Sequence, residues 1–212
     1  MTSNRILPPA LVAALLQVAG LPVALAASPA PLDVTIPDLD PQGALPDEAA
    51  LCGPAGGGPL LRGRDRSPAV AWSNAPAGTK SFALLMSDPD VPFDPSLLLS
   101  PRPIPIEAPR VTRYHWVLYD MPATLKALPA GADGDGFVPH GKPPIRTEWG
   151  QRGVNANTWM LAGNPRLRGT YAGYDGPCPA VNDLKPHSYT ITVYALDVEH
   201  LPAKPLMTGA QL

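Results

Sequence analysis

Ser188-Tyr-Thr-Ile-Thr-Val-Tyr-Ala-Leu-Asp197 alternates β-branched and aromatic side chains without a glycine or proline. That pattern suits a pleated, half-buried strand. On a strand, side chains two apart share a face, so His187, Tyr189, Ile191 and Val193 point the same way. Two stretches nearer the N-terminus have the same character: Ser81-Phe-Ala-Leu-Leu-Met-Ser87 and Tyr114-His-Trp-Val-Leu-Tyr119. By the same alternation Phe82, Leu84, Met86 and Asp88 share one face of the first, and His115, Val117 and Tyr119 one face of the second. Pro89 is expected to end the first strand, because proline donates nothing to a central ladder. Asp88, His115 and His187 then stand at or near strand ends on otherwise apolar faces, where a small concave site forms.

Around these strands the chain is proline-laden, with 30 prolines in 212 residues. Proline is confined to first helical turns, edges and loops, which excludes a helical bundle. Two irregular connections stand out: 91–112, with six prolines, and 129–175, rich in glycine, proline and asparagine. Helix is expected only as short turns near 122–128 and 203–211. A Pro/Asp/Ala-rich lead-in at 28–50 is expected to carry an edge strand at 32–36. Hydrophobic residues make up 45% of the chain, enough for a core. Antiparallel strands without β-α-β alternation point to a mainly β, single-domain β-sandwich. Lys+Arg is 16 against Asp+Glu 18, with no basic run, so a nucleic-acid partner bound through a basic face is excluded.

The first 27 residues read as a secretory signal peptide: one charge at Arg5, an apolar run at 11–26, and small residues at Ala24-Leu-Ala-Ala27. Cleavage is expected after Ala26 or Ala27. The mature chain is then periplasmic or secreted and has no transmembrane segment. In an oxidising compartment two cysteines read as a bridge, Cys52 to Cys178. The alternative is a reactive thiol at Cys178 with a histidine nearby. The four histidines, His115, His140, His187 and His200, show no metal-ligand spacing. No phosphate-loop, dinucleotide or GxSxG motif is present, so the sequence predicts a binder with no cofactor and no metal rather than an enzyme.

Two polar stretches remain. Ser87-Asp-Pro-Asp-Val-Pro92 is a stiff, carboxylate-bearing bend, readable equally as an ordinary strand-ending turn. Tyr171-Ala-Gly-Tyr-Asp-Gly-Pro-Cys-Pro179 is a loop whose backbone can approach a ligand, or a loop pinned by a disulfide. Together with Ser67-Pro-Ala-Val-Ala-Trp72, Ala75-Pro-Ala-Gly-Thr-Lys-Ser-Phe82, His115-Trp-Val-Leu and His187-Ser-Tyr189, they make the sequence resemble the phosphatidylethanolamine-binding protein family. The likeness is strongest to its exported bacterial, Raf-kinase-inhibitor-like branch and covers about 50–200.

The resemblance implies a large antiparallel sheet with a smaller sheet packed on it, few helices, and an anion pocket at one end. It carries the pocket onto Asp88, His115, the loop with Gly176, Pro177 and Pro179, His187 and Tyr189. In that picture the imidazoles, the phenol and loop amides donate to a phosphate. Asp88 orients a histidine or accepts from an ammonium group, and Asp90 caps its own turn. The exported branch places a bridge at positions matching Cys52 and Cys178. The implied function is an exported binder of a phosphate-bearing head group, phosphatidylethanolamine-like, or a similar small anion. The alternative is an interaction module that inhibits or modulates a protease or other enzyme through its rim loops. Within the domain at 51–212 the sequence departs from the family in loop inserts near 91–112 and 157–170, either of which is placed to lid the pocket. It departs also in a C-terminus that stops before the family's usual last helix and strand.

Overall fold

The computed structural model describes residues 32–52, 63–202, 204 and 206–212. The predicted signal peptide at 1–27 and the glycine-rich stretch at 53–59 lie outside the described residues. The strands in chain order are β1 (Asp33–Thr35), β2 (Val70–Ser73), β3 (Ser81–Pro92), β4 (Arg110–Pro122), β5 (Ala127–Leu128), β6 (Arg146–Thr147), β7 (Gly150–Arg152) and β8 (Thr190–Leu196). They form a five-stranded sheet in the order β6-β7-β4-β3-β8 and a three-stranded sheet in the order β1-β2-β5. The pairings between these strands are antiparallel. The mainly β, two-sheet architecture expected from the sequence is the one observed.

The core lies between the sheets. Val70 and Trp72 of β2 and Leu128 of β5 pack on Phe82, Leu84 and Met86 of β3, Trp116 and Leu118 of β4, and Val193 of β8. A smaller cluster, Ala83, Tyr119 and Met207, covers the opposite face of the large sheet. Burying side chains of this size stabilises by about 1.5–3 kcal/mol each, so the central pair β3 and β4 anchors both layers.

Three local readings need correction. First, β3 does not stop at Pro89. The pairing Asp88–Arg113 is followed by Val91–Val111, which leaves one extra residue on β3. Pro89, which has no N–H, falls in that bulge, where no ladder bond is required. Second, the paired residues Met86–Trp116 and Ser87–Tyr114 make His115 an extra residue on β4. The bulge breaks the alternation, so His115 does not share a face with Tyr119. It turns instead toward Asp88 and Tyr189. Third, 122–128 is not helical: a turn closed by Leu125 N–H donating to the Pro122 carbonyl (3.0 Å) leads into β5, which finds β2 as its partner. The described residues of 203–211 form turns and a bridge between Thr208 and Val154, not a helix. Pro202 and Gly209 account for this. The one α-helix among the described residues, α1 (Asn157–Met160), sits in the second insert, its first N–H capped by the Asn155 side chain at 3.0 Å.

Candidate functional site

β3, β4 and the segment entering β8 bring Asp88, His115, His187 and Tyr189 together at one end of the large sheet. Asp88 is 1% exposed. Its Oδ2 accepts from His187 Nδ1 at 2.7 Å, and its Oδ1 caps the Asp90 N–H at 2.8 Å. Burial pushes the Asp88 carboxyl up, but the neighbouring His115 and His187 imidazoles and the Asp90 amide outweigh it, holding the group well below the usual carboxylate range. Asp88 thus orients a histidine. The turn cap belongs to Asp88 and not to Asp90, whose carboxylate accepts from Ser188 N–H and Lys185 Nζ, both at 2.8 Å. Asp90 therefore ties β3 to the segment carrying His187.

His115 is buried, and its Nδ1 lies 3.2 Å from the Asp175 carbonyl. A carbonyl only accepts, so Nδ1 carries a proton in that contact. Nε2 then faces Asp88 Oδ2 at 3.7 Å. Neither His115 Nε2 nor the Tyr189 hydroxyl has a hydrogen-bond partner among the described residues, although both atoms are buried. The two rings meet edge to face, with centroids 5.4 Å apart. Burial and then the Asp88 charge raise the Tyr189 phenol, so it stays a neutral donor.

His187 departs from expectation. Both of its ring nitrogens face carboxylates: Nδ1 toward Asp88, and Nε2 toward Asp183 Oδ2 at 3.3 Å. Burial opposes its charge, but the two carboxylates prevail and its pKa is raised. His187 is therefore not a free donor for an anion.

Gly176 and Pro177 also serve the scaffold more than was predicted. A Cβ at Gly176 would stand 2.0 Å from the Ala49 carbonyl oxygen, so only glycine fits. Its N–H donates to Asp65 Oδ1 at 2.7 Å, and the Pro177 carbonyl accepts from Leu51 N–H at 2.9 Å. Pro179 is exposed and does not border the cavity. Cys52 and Cys178 form the expected disulfide, which removes the reactive-thiol alternative.

A cavity of about 460 Å³ opens beside this cluster, bordered by Pro177, His187, Ser188 and Tyr189 and walled by Ile36 and Leu45. Its outer wall is the lead-in at 36–50. Neither insert borders it. The first insert docks on the loop before His187, through Ile104 paired with Asp183 and Asn182 donating to the carbonyls of Leu97, Ser100 and Arg102. The second lies by Tyr114 and the C-terminal turn.

Sequence reasoning missed Asp65, Arg110 and Asp183. Asp65 is fully buried, and its Oδ2 has no hydrogen-bond partner among the described residues. Burial and the Asp175 carboxylate raise its pKa to about 7. Asp175 in turn is held by Lys142 Nζ at 3.0 Å and Asn155 Nδ2 at 2.7 Å. A carboxyl whose folded pKa is raised binds more protons in the folded state, so its contribution falls as pH rises from about 4 to about 7. Asp65→Asn keeps an acceptor for Gly176 and removes the charge. It is expected to stabilise the protein by about 4 kcal/mol at pH 8 and by almost nothing at pH 4. Urea unfolding at the two pH values checks this.

The family model for phosphatidylethanolamine-binding protein matches residues 35–212. The UPF0098 protein YbcL of Escherichia coli K12 is 31% identical over 150 residues, 70% of this chain and 62% of its own length. The match thus spans less than two thirds of that relative. The UPF0098 protein YbhB of the same strain is 31% identical over 152 residues, 71% of this chain and 72% of YbhB. The crystal structure of E. coli YbcL, described as a new member of the mammalian PEBP family, superposes with a TM-score of 0.57 at 28% identity, covering 85% of each chain.

Proposed function

The chain belongs to the phosphatidylethanolamine-binding protein family, and from that premise we propose that it is an exported binding protein whose pocket takes a phosphate-bearing head group or a similar small anion. The observation that carries the reading is the pair of buried, unpartnered polar atoms, His115 Nε2 and the Tyr189 hydroxyl, on two rings in edge-to-face contact, with Asp88 beside the first. Buried polar groups without partners are costly and mark places where another polar atom belongs. Tyr189 donates to a ligand oxygen. His115 Nε2 accepts from a protonated oxygen or, with a second proton on the ring, donates to an ionised one. Asp88 keeps an ordering role or accepts from an ammonium group. The reading assigns binding and no catalysis: the cysteines are joined and offer no thiolate. Export rests on the first 27 residues.

Titration with inorganic phosphate and with phosphoethanolamine, followed by the ring signals of the four histidines, tests the proposal. The expected result is a saturable shift at His115 that is lost in Tyr189→Phe, with His140 and His200 unmoved. A flat His115 response to both compounds ends the reading.

One observation favours the second reading, modulation of a protease or other enzyme through the rim. Phe93 and Ile106 on the first insert and Val181 and Leu184 on the loop it docks against are more than half exposed. Apolar residues on adjoining loops suit a protein interface. Recovery of a protein partner that is lost on Phe93→Ser, with no phosphate response, is the result that favours this reading.

A further inference from the structure

We propose that Asp183 determines the ligand selectivity of the pocket, because its carboxylate already occupies the anion position between Arg110 and His187. The inference rests on the reading of the pocket as an anion site and adds the residue that controls it.

The Arg110 guanidinium grips Asp183 with two N–H groups, Nη1 to Oδ2 at 2.5 Å and Nη2 to Oδ1 at 3.0 Å. Its remaining donors go to the carbonyls of Asp90, Pro105 and Ala108 at 2.7–3.1 Å. Arg110 is therefore a fixed cradle rather than a mobile surface charge. The Arg110 and Asp183 side chains are 10% and 1% exposed. His187 Nε2 completes the cradle from the other side. A bidentate arginine facing an imidazole is the donor set that holds a carboxylate or a phosphate. Here the chain supplies the anion itself.

This has a chemical consequence. Asp88, Asp90 and Asp183 oppose Arg110, Lys185 and His187 within one network. With a proton on both ring nitrogens of His187, as its two carboxylate contacts require, the network is balanced without a ligand. A dianionic phosphate that seeks His187 must displace Asp183, while a ligand content with His115 and Tyr189 need not. Asp183 thus disfavours free phosphate against a ligand that carries a compensating ammonium. The carboxylate also links site and rim, since the Asp183 backbone pairs with Ile104 of the first insert.

Asp183→Asn removes the competing charge and keeps the side chain's shape. The probes are inorganic phosphate and phosphoethanolamine, titrated by calorimetry into the variant and the parent chain. Expected are phosphate binding at least tenfold tighter in the variant and a smaller gain for phosphoethanolamine. In the parent chain, saturating phosphate is expected to move the Arg110 guanidinium and His187 ring signals together. That second measurement stands if the variant fails to fold. Unchanged or weaker phosphate binding in a folded variant overturns the inference. So does a parent chain in which phosphate shifts His115 but leaves Arg110 and His187 still, an outcome that leaves the anion pocket standing. Silence of both chains toward phosphate and phosphoethanolamine overturns pocket and inference together.

Discussion

Asp88→Ala is expected to lower the unfolding free energy by about 3–5 kcal/mol at pH 5.5, the cost of removing one partner from a buried ion pair. His187 keeps Asp183 at 3.3 Å but loses its closer contact at 2.7 Å. The Asp90 N–H loses its cap at the same time. Asp88→Asn offers one carbonyl oxygen where two carboxylate oxygens now serve two donors, so it keeps an acceptor for one of them and about half the loss is expected there. The pH dependence separates charge from packing. Asp88 is held below its ordinary range, so its contribution is present above about pH 4 and disappears as pH falls through its folded value. His187 is raised, so its contribution is complete below about pH 6.5 and is lost as pH climbs through its folded value. The two windows overlap between about pH 4 and 6.5, and the parent–variant difference should be largest there. Urea unfolding of parent, Asp88→Ala and Asp88→Asn at pH 3, 5.5 and 8.5 reads it directly. A difference that stays constant across the three pH values means that Asp88 acts by packing alone.

The same residues explain how much of the site the sequence carried. Strict alternation placed Asp88 on the face of Met86 and Tyr189 on the face of Ile191, and β3 and β8 pair without interruption up to Ser87–Thr190, the positions adjoining both residues. His115 was assigned to the wrong face, since a bulge is a property of two strands in register and leaves no trace in one of them. Pro89 misled for the same reason: a proline is excluded from a ladder only where a bond is due. Asp183 and Arg110 were invisible because they lie 73 residues apart and neither belongs to a periodic stretch. The Asn182-Asp-Leu-Lys-Pro-His187 segment is fixed by the first insert, which docks on it through Ile104 and Asn182. The lead-in, read as little more than an edge strand, proved to be a wall of the cavity. Leu32, Val34 and Ile36 alternate as an edge strand should, but Leu45 belongs to no periodic stretch that would betray a buried side.

The largest loss, about 5 kcal/mol, is expected from the double replacement Cys52→Ala/Cys178→Ala. The bridge spans a sequence separation of 126, and chain-entropy reasoning for a loop of that size gives about 5 kcal/mol of restraint on the unfolded chain. What it restrains in the folded chain is specific. Ala50 on the lead-in and Pro177 on the Gly-Pro loop both border the cavity, and the bridge joins the two segments. Shorter links run beside it: Leu51 N–H to the Pro177 carbonyl at 2.9 Å and the Tyr174 hydroxyl to the Ala49 carbonyl at 2.6 Å. These keep the loop registered but, as single neutral hydrogen bonds, contribute only about 1 kcal/mol each. Loss of the bridge should therefore cost stability first and, in the folded fraction, weaken phosphate binding severalfold as the cavity walls separate. Denaturation of the parent chain with and without reductant should show the same difference as parent against double variant, and reductant should leave the double variant unchanged. A loss below about 1 kcal/mol places the restraint in the hydrogen bonds and the close packing of Gly176 on Ala49, with the disulfide a passenger on a loop already fixed.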